Sequence, residues 1–280
     1  MSAADRAARA VLRATGVASR HVTTDVARHH VYDARGRGPL PPIVLLPGLS
    51  DTGASHAPLI WRLRPRVRRV VVVESAGHGL SGPARVPYTI ERHLSSVAAA
   101  LDQILDEPAV LVGNSLGGAT ALHYAATRPA RVAGLYLTSP AGAALDDATV
   151  ADLRRAFTIR TVADARTFLD RVLARPTPLA PVLARVLRAR AGAPAIADLL
   201  ADLGNHPGVP AADLGKLAVP VTVMWGRAER LLAPSALAFF RAHLPPHAVV
   251  VEPPGIGHCP HLDAPGRLAH LIAAFAGDRI

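Results

Sequence analysis

The 280-residue chain has one cysteine, Cys259, so no internal disulfide can form, which suits a reducing compartment. Lys216 is its only lysine; the other basic residues are arginines, and 31 basic against 21 acidic residues leave a formal charge of +10. Aromatics make up 4% of the chain, so a core drawn from a composition that is 50% hydrophobic must be built from Ala, Val and Leu. No apolar run approaches the ~20 residues of a membrane span. Near the N-terminus Arg6, Arg9 and Arg13 interrupt any signal-peptide core, and a surface helix over 3–15 is expected, with the protein in the cytoplasm. No Cys/His/Asp cluster has metal-ligand spacing and no nucleic-acid motif is present, so neither a metal, a cofactor nor a nucleic-acid partner is expected. The arginine run Arg62, Arg64, Arg66, Arg68 and Arg69 could attract a polyanion, but it reads as a solvated helix end and strand entry.

What is present is an alternation of strand and helix patterns. Arg20–Val26 and Arg28–Asp33 suggest a hairpin; Ile43–Leu46, Val67–Val73, the run 109–112 and Val132–Leu137 read as buried strands. Helices are expected over 54–63, 89–105 (with Thr89 as N-cap) and 118–126. This order predicts a mostly parallel sheet with helices on both faces. From Ala141 to Gly215 no strand is legible, and four helical stretches broken by prolines predict an inserted helical subdomain over 141–215. The α/β pattern resumes with strands at Val219–Trp225 and Ala248–Val251 and closes with a helix over 265–275, N-capped by Asp263. The domain division is therefore a core of 1–140 and 216–280 with a cap of 141–215. Trp61 and Trp225 are expected in core or strand-end packing.

The chemistry-bearing stretch is AVLVGNSLGG, residues 109–118. A strand, a Gly-x-Ser-x-Gly turn and a helix form a nucleophile elbow, which lifts the Ser115 hydroxyl above the sheet. A serine needs a base, and the base a third group to orient it. In this arrangement the partners follow the serine as acid, then histidine. His258, in the loop after the last strand, is the expected base, with His261 as competitor. Glu229, after the preceding strand, is the expected acid, with Asp146 or Asp147 as fallback. The oxyanion donors are expected to be the backbone N–H groups of Leu116 and of Leu49, the latter following Pro47-Gly48. His78, between Gly77 and Gly79, is read as structural.

With those residues in place, the chain resembles the α/β-hydrolase superfamily over nearly its whole length. The resemblance rests on Leu46-Pro47-Gly48, Gly77-His78-Gly79-Leu80-Ser81, Gly113-Asn114-Ser115-Leu116-Gly117-Gly118, Trp225-Gly226-Arg227-Ala228-Glu229-Arg230-Leu231 and Gly257-His258-Cys259-Pro260-His261. It implies an eight-stranded sheet with a helical cap after the sixth strand, in a branch of esterases, lipases, thioesterases, cofactor-free haloperoxidases and C–C bond hydrolases. Three departures stand out: Pro47 where the family has histidine, Glu229 where it has aspartate, and Glu74-Ser75-Ala76 where it has Asp-x-Pro. The serine at the elbow argues against the aspartate-dependent dehalogenases and epoxide hydrolases. The expected activity is cleavage of an ester or related acyl compound that is small and apolar. The alternatives are a C–C hydrolase of a dienol-type diketone, whose acidic substrate Arg154, Arg155, Arg160 and Arg171 would serve, and a hydrolase-fold binding protein with little turnover. A homodimer is left open.

Overall fold

The computed structural model describes residues 3–278. In chain order the elements are α1 (Ala3–Ala14), β1 (Ala18–Thr23), β2 (Arg28–Arg35), β3 (Ile43–Leu46), α2 (Ala57–Leu63), β4 (Arg69–Val73), α3 (Ile90–Ile104), β5 (Ala109–Asn114), α4 (Leu116–Thr127) and β6 (Val132–Thr138). Then come α5 (Asp147–Phe157), α6 (Val162–Val172), α7 (Ala180–Arg190), α8 (Pro194–Asp202) and α9 (Ala211–Gly215), followed by β7 (Val221–Met224), α10 (Pro234–His243), β8 (Val249–Val251), α11 (Pro260–Asp263) and α12 (Pro265–Gly277).

The eight strands form one sheet in the order β1-β2-β4-β3-β5-β6-β7-β8. β1 and β2 run antiparallel as a hairpin, β2 pairs antiparallel with β4, and every later pairing is parallel. Side chains alternate between two cores, as a period of two demands. Val44, Leu46, Val71, Val73 and Leu111 pack with α3 and α4 on one face, while Ile43, Leu45, Val70, Val72 and Val110 pack with α2 and α12 on the other. With both faces covered, the central strands read as unbroken apolar runs. α3 starts where Thr89 accepts the Arg92 N–H, and its Leu94, Val97 and Leu101 are buried.

The chain winds from β3 to β4 on one side, then returns to place β5 on the other side of β3. Open α/β sheets bind ligands at such a reversal, where the loops leaving neighbouring strands diverge. The loops after β3 and β5 carry Leu49 and Ser115. Helices α5–α9 all fall between β6 and β7.

Two local readings change. Asp263 does not cap the closing helix: Pro260–Asp263 is a short helix of its own, and the Asp263 carboxylate accepts the N–H groups of Ala174 (2.9 Å) and Gly257 (2.7 Å). Pro265 at the start of α12 keeps Ala264 out of the helical region, so the true cap position lies one residue later. Trp61 is not core: it is 37% exposed and donates Nε1–H to Thr15 Oγ1, whereas Trp225 is buried at its strand end. The arginine run lies, as expected, at the end of α2 and the entry to β4, with Arg62 and Arg66 exposed, Arg69 holding Asp33 and Arg68 holding Glu107. Among the described residues no helix is long and apolar enough to cross a membrane.

Candidate active site

Ser115 joins β5 to α4 with φ 52° and ψ −119°, a conformation an L-residue adopts only under constraint, at about 1–3 kcal/mol. The constraint is visible. Its N–H reaches Thr138 O (3.2 Å), and its carbonyl accepts the N–H groups of Gly118 (2.8 Å), Ala119 (3.2 Å) and Ala141 (2.9 Å). The turn closes only because Gly117 lacks a side chain: a Cβ there would lie 2.0 Å from Leu46 O. Gly48 approaches from the β3 loop, where a Cβ would stand 3.2 Å from Ser115 Cβ. Leu49 and Leu116 both border the cavity beside Ser115. Among the described residues no backbone acceptor takes the N–H of either one.

His258 and Ser115 face one cavity, and the His258 loop is tied to the elbow. The Asn114 amide, buried at the end of β5, donates to Thr138 O (3.0 Å) and to His258 O (2.8 Å). The sequence motif gives Asn114 no role; its one signal is that a polar residue closes an otherwise apolar strand. His258 Nδ1 lies 2.8 Å from Glu229 Oε2, and a carboxylate can only accept, so Nδ1 carries a proton and the neutral tautomer this contact selects has its lone pair on Nε2. Glu229 Oε1 accepts the N–H groups of Leu231 (2.7 Å) and Leu232 (3.0 Å). Burial would raise the Glu229 carboxyl; the facing His258, helped by the Ser139 hydroxyl and the Leu232 N–H, outweighs it and brings the pKa down to about 2. Ser139, left-handed at φ 39°, is a second contributor the sequence did not announce.

The alternatives are placed elsewhere. Asp146 is exposed and caps α5 by accepting the Thr149 N–H (2.7 Å); Asp147 is exposed in the first turn of that helix. Both ring nitrogens of His78 are used, Nδ1 on Ala76 O (2.9 Å) and Nε2 on the Ser50 N–H (3.0 Å), which fixes the loop after β3. His261 faces Asp51, with Nε2 3.2 Å from Oδ2, and its ring stacks on His56. The donor atoms of Asp51, His56 and His261 lie within 4.8 Å of one another, which suggests a metal site. The rings, however, stack at 4.4 Å and 12°, so their lone pairs lie in two nearly parallel, offset planes, and one ion cannot sit in both. His56 Nδ1 is also bonded to Ser55 Oγ (2.9 Å). The trio instead joins the segment after β3 to α11.

Two apolar lobes of about 100 Å³ and about 110 Å³ meet at Ser115. Leu94, Leu153 and Leu199 help line the first, and Phe168, Leu183 and Leu187 the second; Leu49, Phe157 and Leu231 border both. None of Arg154, Arg155, Arg160 and Arg171 lines either lobe. Arg154 donates to the carbonyls of Leu200 and Ala201, and Arg155 and Arg171 hold Asp152. Arg190 borders the second lobe but is ion-paired with Asp5 of α1.

Residues 43–271 match the model of the alpha/beta hydrolase family. The chain is 34% identical over 257 residues to the pimeloyl-[acyl-carrier protein] methyl ester esterase of Xanthomonas campestris pv. campestris, a match covering 87% of this chain and 97% of that one. It is 38% identical over 144 residues to lipase LipV of Mycobacterium tuberculosis, a match spanning 50% of this chain and 49% of the lipase. The crystal structure of carboxylesterase CesB from Bacillus subtilis superposes with a TM-score of 0.79 at 20% identity, covering 98% of each chain.

Proposed function

This chain belongs to the alpha/beta hydrolase family, and from that footing we propose that it hydrolyses carboxylic esters through an acyl-enzyme formed on Ser115. The observation that carries the reading is the Glu229–His258 contact of 2.8 Å, in a loop that Asn114 ties to the serine's own turn. Ser115 Oγ attacks the ester carbonyl carbon while His258 Nε2 takes the hydroxyl proton. The carbonyl oxygen becomes an oxyanion held by the N–H groups of Leu49 and Leu116, donors of a kind worth about 10²–10³ in rate. The C–O bond to the alcohol then breaks, and His258 returns its proton to the leaving oxygen. Water attacks the acyl-enzyme, gives a proton to His258, and the acid departs as that proton returns to Ser115. Glu229 holds the ring and stabilises its transient positive charge.

Residues 141–215 act as a cap over the core of 1–140 and 216–280, roofing the two lobes. A carbonyl at Ser115 puts its acyl group in one lobe and its alcohol in the other, and both linings favour apolar groups. A C–C hydrolase acting on an acidic diketone fits less well, because none of the four cap arginines it would use lines either lobe. Ser115→Ala is the test, assayed on short p-nitrophenyl esters with folding checked by circular dichroism. Loss of at least about 10³ in kcat is expected, together with loss of fluorophosphonate labelling. A folded variant with undiminished turnover sinks the proposal.

A further inference from the structure

The segment 171–197 holds five arginines (Arg171, Arg175, Arg185, Arg188 and Arg190) and no aspartate or glutamate. At its centre, α7 is apolar on two sides. The inner side, through Leu183, Val186 and Leu187, lines the second lobe. The outer side begins at Leu179, which is 62% exposed, and continues with Val182 at 57%, the two largest exposures of any large hydrophobic side chain among the described residues. They are one helical turn apart, so they share a face.

Arg175, Arg185 and Arg188 are exposed around that face. Arg185 donates to Pro181 O and Arg188 to Arg160 O, so both are held by backbone carbonyls, and among the described residues no carboxylate pairs with either or with Arg175. Aliphatic side chains ringed by unneutralised arginines on one helix face are the chemistry of a surface that lies against anionic lipid: the apolar groups enter the headgroup boundary and the guanidiniums bind phosphates.

We propose that the outer face of α7, with Leu179 and Val182 at its centre and Arg175, Arg185 and Arg188 around it, docks on an anionic phospholipid surface. Docking there sets the wall of the second lobe against the lipid. The proposal rests on this face alone and stands whether or not the chain is an esterase.

The test is flotation of the full-length protein with vesicles of phosphatidylcholine alone or mixed with phosphatidylglycerol. Binding is expected to the mixed vesicles, weakened by salt, and not to phosphatidylcholine alone. L179S/V182S and R185E/R188E should each cut partitioning by about fivefold or more, while R62E/R66E, which removes the same charge from a distant exposed site, changes it by less than about twofold. Melting by circular dichroism, independent of turnover, shows that each variant is folded. Full binding by folded L179S/V182S, equal losses in R62E/R66E and R185E/R188E, or no binding to the mixed vesicles overturns the proposal. So does binding to double-stranded DNA that depends on Arg185 and Arg188 when vesicle binding does not.

Discussion

The Glu229 carboxylate divides its work: Oε2 holds His258, and Oε1 takes the N–H groups of Leu231 and Leu232. Every one of those neighbours is a donor, so an amide in its place must turn an NH₂ against one of them. Glu229→Gln is therefore expected to force the wrong histidine tautomer and to lower kcat by about 10³–10⁴ while KM moves only a few-fold, as steady-state kinetics on a p-nitrophenyl ester will read. Glu229→Asp keeps the charge but loses one methylene of reach, and should fall between the two. The second lobe also contains Cys259, whose thiol is pushed up well above its usual range by burial and by the charges of Asp51 and Glu229. It stays protonated, so thiol-alkylating reagents should leave turnover unaffected over times in which a fluorophosphonate abolishes it.

Among the elements, the elbow turn and the cap helices differ in how tightly they are specified. Gly117→Ala places a methyl group 2.0 Å from Leu46 O and must push β3 away from α4; a loss of about 2–4 kcal/mol and an inactive or insoluble protein are expected. Gly192→Ala, with nothing within 4 Å of its Cβ, should change the urea midpoint by less than the equivalent of about 0.5 kcal/mol. Thr161 starts α6 through a capping box with Asp164, so Thr161→Ala should cost about 1 kcal/mol. The same contrast governs what could be read from the sequence. The buried strands announced themselves, because a sheet covered on both faces demands runs such as Val70–Val73. Ser115, His258 and Glu229 were legible because each lies at a loop position that strand order dictates. Asn114, Ser139 and the Asp51–His261 contact were not, because Asn114 reaches Thr138 and His258, Ser139 reaches Glu229 and Asp51 reaches His261, all 24 or more residues away along the chain. Asp263 misled for a local reason: it has the side chain of an N-cap, and the proline two residues later moved the helix start past it.

For the molecule as a whole, acid sensitivity is built into its buried histidines. Burial lowers His93 to about 3, and burial together with neighbouring His261 lowers His56 to about 4, so both are neutral in the folded protein. The unfolded chain protonates them near 6.5, so below that pH it binds more protons than the fold does. Their stabilising effect is therefore complete above about 6.5 and is lost as pH falls towards 4, at about 1.4 kcal/mol per pH unit for each. Urea midpoints should fall steadily over that window. His93→Gln, less stable at pH 7 through loss of its bonds to Tyr88 and Thr120, should show a shallower slope; an unchanged slope would mean His93 is not neutral in the fold.

The reversal of strand order has a consequence for tolerance to mutation. Leu46 and Gly113 are register partners on neighbouring strands, and Leu49 and Leu116 each lie three residues beyond them. The separation of the two proposed oxyanion donors is thus referenced to the ladder spacing of parallel strands, about 4.8 Å, and to main-chain atoms that every residue type except proline supplies. Side chains at 49 and 116 are free to drift and reshape the lobes while the gauge of the oxyanion site stays fixed. Substrate range can diverge in such a protein without the reaction being retuned.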